Sequence, residues 1–311
     1  MAAPRVVGIV GPKGGVGKST ITANLAVALT RAGASVTAMD LDLGSANLHV
    51  IFGLKNVEHT LDDFLMNKVA GLESVLLETD VPGLTLIAGG NVPGIASLPY
   101  QKKVKLVRHL ARLKSDFLIL DLSPGASHNM ADFALIAWRC LLVTTPDVPS
   151  LMSLYSFIKT AVYRRLSLFF RQAGSEPLGQ LLDKAKDADA HADLKTMEDF
   201  YGQAAVIDPA LAQKARQILA KLDFMIAVNR VRSAADLKAG QAIRNLMGNF
   251  LSLDGGKIYS VREDAAVSRA AARLKPALLD APSCPFATDI ETIVRALQDA
   301  AGRSCLREVQ A

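Results

Sequence analysis

The chain has 311 residues, 50% of them hydrophobic and only 5% aromatic, and a formal net charge of +5. This composition suits one large α/β domain with a buried core, and the mild positive charge allows contact with nucleic acid or anionic lipid without arguing for either. Cys140, Cys284 and Cys305 form no C-x-x-C pair, which argues against a disulfide framework, a zinc site or a cysteine-ligated iron–sulfur cluster. The sequence shows no signal peptide and no membrane-spanning run, so we expect a cytoplasmic protein.

Short apolar runs alternate along the chain with stretches of helical spacing. The predicted strands are 6–10, 35–39, 84–88, 117–120, 140–144, 224–228 and a weaker 257–261. Helical spacing is plain in 19–32, 101–113 and 234–251. This alternation is typical of an α/β fold with a doubly wound, mostly parallel sheet. Because ligands bind such sheets beyond the carboxyl ends of the strands, we expect functional residues directly after each strand.

The stretch from about residue 147 to residue 221 breaks the alternation. It has helical pattern but no convincing strand, and Pro209 suits the first position of a helix. A plain crossover between parallel strands needs about a dozen residues. We therefore interpret about 163–221 as a helical insertion within a single domain, 1–311. Its thin apolar content and polar middle favour an elaboration of that domain over a second one.

The first predicted strand runs into GPKGGVGKST, residues 11–20. A strand, a glycine-rich turn and a helix beginning at Lys18 form an arrangement that holds a polyphosphate, because glycines let backbone N–H groups point inward. By this logic Lys18 reaches the β- and γ-phosphates, Ser19 ligates Mg²⁺ and Thr20 contacts the α-phosphate. An ordinary glycine-rich turn is the alternative. The candidate phosphate-binding residues are Gly14, Gly15, Val16, Gly17, Lys18, Ser19 and Thr20.

The same stretch contains a second lysine, Lys13. Pro12 occupies the first glycine position of G-x-x-x-x-G-K-[ST], so the stretch fits the form x-K-G-G-x-x-K-[ST] instead. On KGGVGKST the sequence resembles the MinD/ParA family of deviant Walker A P-loop ATPases. The segments DLDLGSANLHVIFGL (40–54), LIAGG (86–90) and TTPDVPSLMSLYSFIK (144–159) resemble its MinD/FlhG-like branch most. In that family the first lysine reaches across a dimer interface to phosphates held by the other subunit. The resemblance therefore implies an ATP-state homodimer in which Lys13 is catalytic; a solvated loop lysine is the alternative.

Further strand ends match the family, and the resemblance covers about residues 5–160 and 222–300. In MDLDLGSANLHVIFG (39–53), it makes Asp40 a Mg²⁺ ligand through water and Asp42 the catalytic residue that orients the attacking water. In DLSPGAS (121–127), Asp121 stands in the metal-binding Walker B position. Gly125 belongs to the loop that senses the γ-phosphate, although the order Ser-Pro-Gly differs from the family's usual patterns. The metal candidates are thus Ser19, Asp40 and Asp121, and the catalytic candidates are Lys13, Lys18 and Asp42.

Two later segments resemble the family's base-binding elements. In AVNRV (227–231), the resemblance implies that Asn229 pairs with the adenine edge and that Arg230 flanks the ring. SVREDAAVSRA (260–270) resembles I-P-E-D-x-x-V-x-x-A, with Arg262 in place of the usual proline. We therefore expect Asn229, Arg230 and Arg262 beside the base.

The resemblance implies a dimerisation switch that binds and hydrolyses ATP with Mg²⁺ and acts in spatial positioning, such as cell division, flagellar placement or cargo positioning. The alternative is a ParA-like ATPase that binds DNA nonspecifically in chromosome or plasmid partitioning. It rests on the basic stretch 101–114 and the arginines at 164–165, for which a solvated helix face is favoured over nucleic-acid binding.

An unidentified protein partner or activator is expected, and the insertion is the candidate contact. Phe169 and Phe170, beside arginines, form either an exposed docking patch or part of the core. Direct membrane binding is not expected, because the tail 289–311 mixes acidic and basic residues and lacks bulky aromatic side chains.

Overall fold

The computed structural model describes residues 3–42, 45–90, 98–187 and 190–299. Cys305 and the last part of the C-terminal tail, which entered the membrane prediction, lie outside these residues. Among the helices within those ranges, none is long and apolar enough to cross a membrane.

Strands and helices alternate in the expected order. The strands are β1 (Arg5–Val10), β2 (Val36–Leu41), β3 (Leu76–Glu78), β4 (Leu84–Ile87), β5 (Phe117–Leu122), β6 (Arg139–Thr144), β7 (Phe224–Val231) and β8 (Ile258–Arg262). The helices are α1 (Lys18–Arg31), α2 (Leu48–Ile51), α3 (Leu61–Leu65), α4 (Tyr100–Leu110), α5 (His128–Ile136), α6 (Val148–Gln172), α7 (Glu176–Lys186), α8 (Met197–Ile207), α9 (Pro209–Ala220), α10 (Lys238–Leu251), α11 (Ala265–Ala272), α12 (Ala277–Asp280) and α13 (Pro285–Asp299).

The strands form one eight-stranded sheet in the order β3-β4-β2-β5-β1-β6-β7-β8. Every neighbouring pair is parallel except β3 and β4. The predicted doubly wound, mostly parallel sheet is therefore confirmed. From the central strand β1 the chain moves to β2 on one side, and from β6 it moves to β7 and β8 on the other. This reversal of direction places the end of β1 at the point where such sheets bind ligands.

Alternate residues of the central strands enter two cores on opposite faces of the sheet. Val6 and Val10 pack with α4, α5, α6 and α10, whereas Val7 and Ile9 pack with α1 and α13. This division follows from the period of two in a strand. Helices therefore cover both faces, and the open edge at the carboxyl ends of the strands is where polar side chains can meet.

The helices of the insertion share the core of one sheet face. Phe170 is 1% exposed and its ring centroid lies 6.0 Å from that of Phe200, which is fully buried. Phe169 is partly buried against the same core. Between an exposed patch and core packing, the two phenylalanines thus belong to core packing. The insertion contributes more to the core than its polar middle suggests.

Part of the basic stretch 101–114 is neutralised within the chain. Lys103 and Arg164 both form ion pairs with Asp132 on α5. Lys105 donates to Asn67 Oδ1 at 2.6 Å. Lys103 and Arg164 are thus paired within the protein and largely buried, whereas the interpretation favoured from the sequence is a solvated helix face.

Candidate nucleotide-binding site

The loop after β1 has the backbone of an anion cradle. Gly15 and Gly17 have φ of 80° and 92°, a region that side chains rarely allow. A Cβ at Gly14 or Gly15 would meet nothing within 4 Å. From residue 14 to residue 20, no backbone N–H has a hydrogen-bond partner in the described part of the chain. Unpaired N–H groups at the start of a 14-residue helix are donors for a phosphate.

Lys18 and Asp121 form a buried ion pair beside this cradle. Lys18 Nζ lies 2.8 Å from Asp121 Oδ1, and the side chains are 8% and 0% exposed. The Thr22 hydroxyl also donates to Asp121 Oδ1, at 3.2 Å. Asp121 Oδ2 is buried and has no hydrogen-bond partner among the described residues. An unpaired buried carboxylate oxygen is a ligand that Mg²⁺ prefers, so Asp121 fits the predicted metal site.

Asp40 lies next to Asp121, because the two residues are register partners on β2 and β5. Its Oδ1 accepts the Asp42 N–H, and its Oδ2 accepts the N–H groups of Asn47 and Leu48, each at 2.9 Å. Burial first, and then the Asp121 charge, raise the pKa of Asp40 to about 7, against the opposing amide hydrogen bonds. Asp40 is thus also an acceptor for two N–H groups at the start of α2.

Asp42 follows β2 and is half-buried. Burial raises the pKa of Asp42. Its carboxylate makes no hydrogen bond or ion pair with any described residue. Such a carboxylate is available to accept a hydrogen bond from water.

The loop after β5 is fastened to its neighbours. Gly125 has φ of 104°, and its N–H donates to the carbonyl of Pro12 at 2.6 Å. The Ser123 hydroxyl donates to the carbonyl of Leu41 at 2.8 Å. The Gly125 N–H must therefore leave Pro12 before it can donate to a phosphate.

Lys13 has an acidic partner within its own chain. Its Nζ lies 2.9 Å from Asp147 Oδ1, with the two side chains 41% and 45% exposed. Asp147 is the N-cap of α6 and accepts the Ser150 N–H at 3.0 Å. The Thr145 hydroxyl, then Lys13 and Ser150, hold the pKa of Asp147 well below its usual range. The structure thus directs the Lys13 charge toward the first turn of α6.

The structure separates the predicted base-binding residues into two groups. Asn229 is 6% exposed; its Nδ2 donates to the Val16 carbonyl at 2.8 Å and its Oδ1 accepts the Arg230 N–H at 2.9 Å. Arg230 is exposed, with φ of 58°. The Arg262 guanidinium instead contacts both oxygens of Asp289 on α13, at 2.8 and 2.9 Å. Asn229 and Arg230 thus adjoin the phosphate loop, whereas Arg262 is bound to a helix.

The sequence analysis did not identify two residues that contact predicted site residues. Asp147, which receives Lys13, stands in DVPS, where an acidic residue before proline is typical of a helix start. Thr22 lies one helical turn after Lys18 and so shares its face of α1. Both patterns mark local structure, but neither shows which distant residue is the partner.

A model of the CobQ/CobB/MinD/ParA nucleotide binding domain matches residues 7–277. The septum site-determining protein MinD of Thermotoga maritima is 31% identical over 147 residues, which make up 47% of this chain and 54% of that protein. The flagellum site-determining protein YlxH of Helicobacter pylori is 34% identical over 170 residues, or 53% of this chain and 56% of that protein. The chain spans about half the length of these curated relatives.

The solved structure of MinD complexed with Mg-ADP from Pyrococcus horikoshii has a TM-score of 0.64 to this chain at 22% identity. The match covers 96% of this chain and 98% of that one, and at this identity it shows a shared fold. The resemblance to the MinD/ParA family is confirmed by the domain match. The chain belongs to the CobQ/CobB/MinD/ParA nucleotide binding domain family.

Proposed function

We propose that this chain binds ATP with Mg²⁺, hydrolyses it and uses the nucleotide to switch between monomer and homodimer in a positioning process of the cytoplasm. The unpaired N–H groups of residues 14–20, next to the Lys18–Asp121 pair, give the strongest support. We further propose one domain, 1–311, with the insertion at about 163–221, because the insertion helices share the core of the sheet.

Each side chain of the site has a proposed role. Ser19, Asp40 and Asp121 hold Mg²⁺, which neutralises negative charge on the phosphates. Lys18 exchanges its ion pair with Asp121 for the β- and γ-phosphates. Asp42, whose carboxylate has no partner among the described residues, orients the attacking water.

Lys13 is proposed to act on the phosphates of a second copy. Its side chain is only half-exposed in the salt bridge with Asp147, so the bridge must break first. The helix that begins after Asp147 exposes Val148 and Met152, at 69% and 55%. Val148 and Met152 lie one helical turn apart and form a short apolar strip beside Lys13. This exposed strip supports burial of the start of α6 in a dimer.

Light scattering after size-exclusion chromatography tests the switch. Wild type should elute as a monomer without nucleotide and as a dimer with ATP and Mg²⁺. Asp42→Ala should stay dimeric with ATP, since hydrolysis is blocked. Lys13→Ala should lower the hydrolysis rate by about 10³-fold or more, as expected for loss of a cation supplied in trans. Lys214→Ala, an exposed lysine of α9, is the matched control. A wild type that stays monomeric in every nucleotide contradicts the switch.

Nonspecific DNA binding in partitioning is the second candidate. The guanidinium groups of Arg108 and Arg112 have no partner within the described ranges, and with Lys105 these residues line a cleft of about 350 Å³ along α4 and its C-terminal end. Binding that needs ATP and falls steeply with added salt would support this function, and Arg108→Ala with Arg112→Ala should then weaken it for all sequences.

We propose that the unidentified protein partner contacts the insertion at the turn between α8 and α9. Val206 and Ile207, the last two residues of α8 before this turn, are 87% and 45% exposed. Because Phe169 and Phe170 belong to the core, Val206 and Ile207 become the apolar surface of the insertion that a partner can bury.

A further inference from the structure

Asn229, on β7, contacts the loop that follows β1. The residue lies 213 positions from Val16 in the sequence, yet its Nδ2 donates to the Val16 carbonyl at 2.8 Å in a buried contact. Its Oδ1 accepts the Arg230 N–H at 2.9 Å. A side-chain amide can make about four hydrogen bonds, and these two are formed with the protein itself.

The neighbouring backbone is shaped to admit this contact. A Cβ at Gly17 would lie 2.3 Å from Asn229 Nδ2, which is closer than any side chain tolerates. Gly17 also has φ of 92°, and Arg230 has φ of 58°, a conformation uncommon outside glycine. The missing Cβ at Gly17 leaves room for the Asn229 side chain, and the left-handed backbone of Arg230 occurs where its N–H donates to Asn229.

The Val16–Gly17 peptide carries this contact to the cradle. In a planar trans peptide the C=O and the N–H point in opposite directions. When Asn229 holds the Val16 oxygen, it also fixes the direction of the Gly17 N–H, away from Asn229. That N–H has no hydrogen-bond partner among the described residues. Through this peptide, Asn229 therefore sets the orientation of one donor of the cradle.

We infer that Asn229 is a positioning residue that holds the phosphate loop in its binding shape, so that its loss weakens phosphate binding whatever base the nucleotide carries. The inference rests on the proposed nucleotide-binding function. A role in reading adenine uses the second Nδ2 hydrogen and the second lone pair of Oδ1, and it predicts a loss that depends on the base. The two roles therefore differ in their ligand dependence.

Calorimetric titration of the full chain with three Mg²⁺-bound ligands separates them: ADP, GDP and inorganic tripolyphosphate, which has no base. Asn229→Ala should weaken all three by the same factor, about 5- to 20-fold, the effect of one buried hydrogen bond. Asn229→Asp keeps the acceptor for the Arg230 N–H but opposes the Val16 carbonyl, so it should match or exceed this loss. Asn245→Ala, on the exposed face of α10, is the matched control.

A double mutant guards against simple misfolding. Gly17→Ala places a methyl group on Asn229 Nδ2, and Asn229→Ala removes that clash while the positive φ persists. The double mutant should therefore bind each ligand more tightly than the product of the two single effects predicts. If the two substitutions have strictly additive effects on the binding free energy, the inference that Asn229 positions the loop is wrong.

Two further outcomes decide between the claims. Asn229→Ala could lose only the discrimination between ADP and GDP while tripolyphosphate binds as in wild type. In that case Asn229 does not position the loop but recognises the base. If wild type binds none of the three ligands, the proposed function itself fails.

Discussion

The salt bridge between Lys13 and Asp147 should oppose assembly of two copies, and Asp147→Asn tests this. Asp147 also caps α6, where the Ser150 N–H lies 3.0 Å from Oδ1 and the Ser150 hydroxyl 2.7 Å from Oδ2. Asparagine is as good an N-cap as aspartate, so this substitution keeps the helix start. It removes the charge that holds Lys13.

The structure sets the size of the effect. Because both side chains are about half-exposed, the bridge contributes about 0.2–1 kcal/mol. The proposed dimer uses both of its Lys13 side chains, so two bridges would break and the total is about 0.4–2 kcal/mol. Asp147→Asn should therefore tighten the ATP-state dimer by about 2- to 30-fold.

Sedimentation equilibrium with Mg²⁺ and a non-hydrolysable ATP analogue measures this constant. Asp183→Asn, an exposed acid that pairs with Lys186 on α7, is the matched control and should leave it unchanged. Urea unfolding checks the cap: Asp147→Asn should stay within about 1 kcal/mol of wild type, whereas Asp147→Ala loses about 1 kcal/mol or more. A folded Asp147→Asn variant whose dimer is no tighter than wild type refutes the reasoning.

Three further predictions follow from buried groups. Because the pKa of Asp40 rises from 3.8 to about 7 in the fold, stability should fall as pH rises between these values, and Asp40→Asn should flatten that slope in pH-dependent urea unfolding. Lys18→Met leaves Asp121 charged and unpaired in the interior, so it should cost about 3–5 kcal/mol in thermal unfolding, and adding Asp121→Asn should recover much of the loss. Phe200→Ala should cost about 3–5 kcal/mol in one cooperative transition, against about 0.5 kcal/mol or less for the exposed Val206→Ala; two separate transitions contradict a single domain.

The sequence predicted best what is local. The phosphate loop is one continuous motif, and Asp40 and Asp121 follow apolar runs that can be recognised without any partner. Because parallel strands end at one edge of a sheet, the two carboxylates had to come close, and the structure pairs them in register. Each of the seven predicted strands is present, with ends shifted by a few residues.

Long-range contacts could not be predicted in the same way. The edge strand β3 has three residues, only partly buried, and three residues show no periodicity. The core role of Phe170 depends on Phe200, which the sequence separates by a polar stretch. Arg262 replaces the usual proline in a segment that resembles a base-binding motif, and its guanidinium pairs with Asp289 on α13. In each case the deciding partner is distant in sequence and leaves no local pattern.

These distant partners explain how one small loop can influence several elements. The Pro12 carbonyl receives the Gly125 N–H, the Val16 carbonyl receives Asn229, and Lys13 contacts Asp147. The loop thus keeps unpaired N–H groups, which we propose bind phosphate, while its other groups contact residues at the ends of β5, β7 and β6.

The contact with the end of β5 extends to the insertion. The segment that contains Gly125 leads directly into α5, where Asp132 forms ion pairs with Lys103 of α4 and Arg164 of α6. The charges of this cluster are largely buried, with 13–19% exposure, so a shift of α5 cannot leave α4 and α6 unchanged without exposing or unpairing a charge. Any displacement of α5 would therefore have to be followed by α4 and by α6, the helix in which the insertion begins.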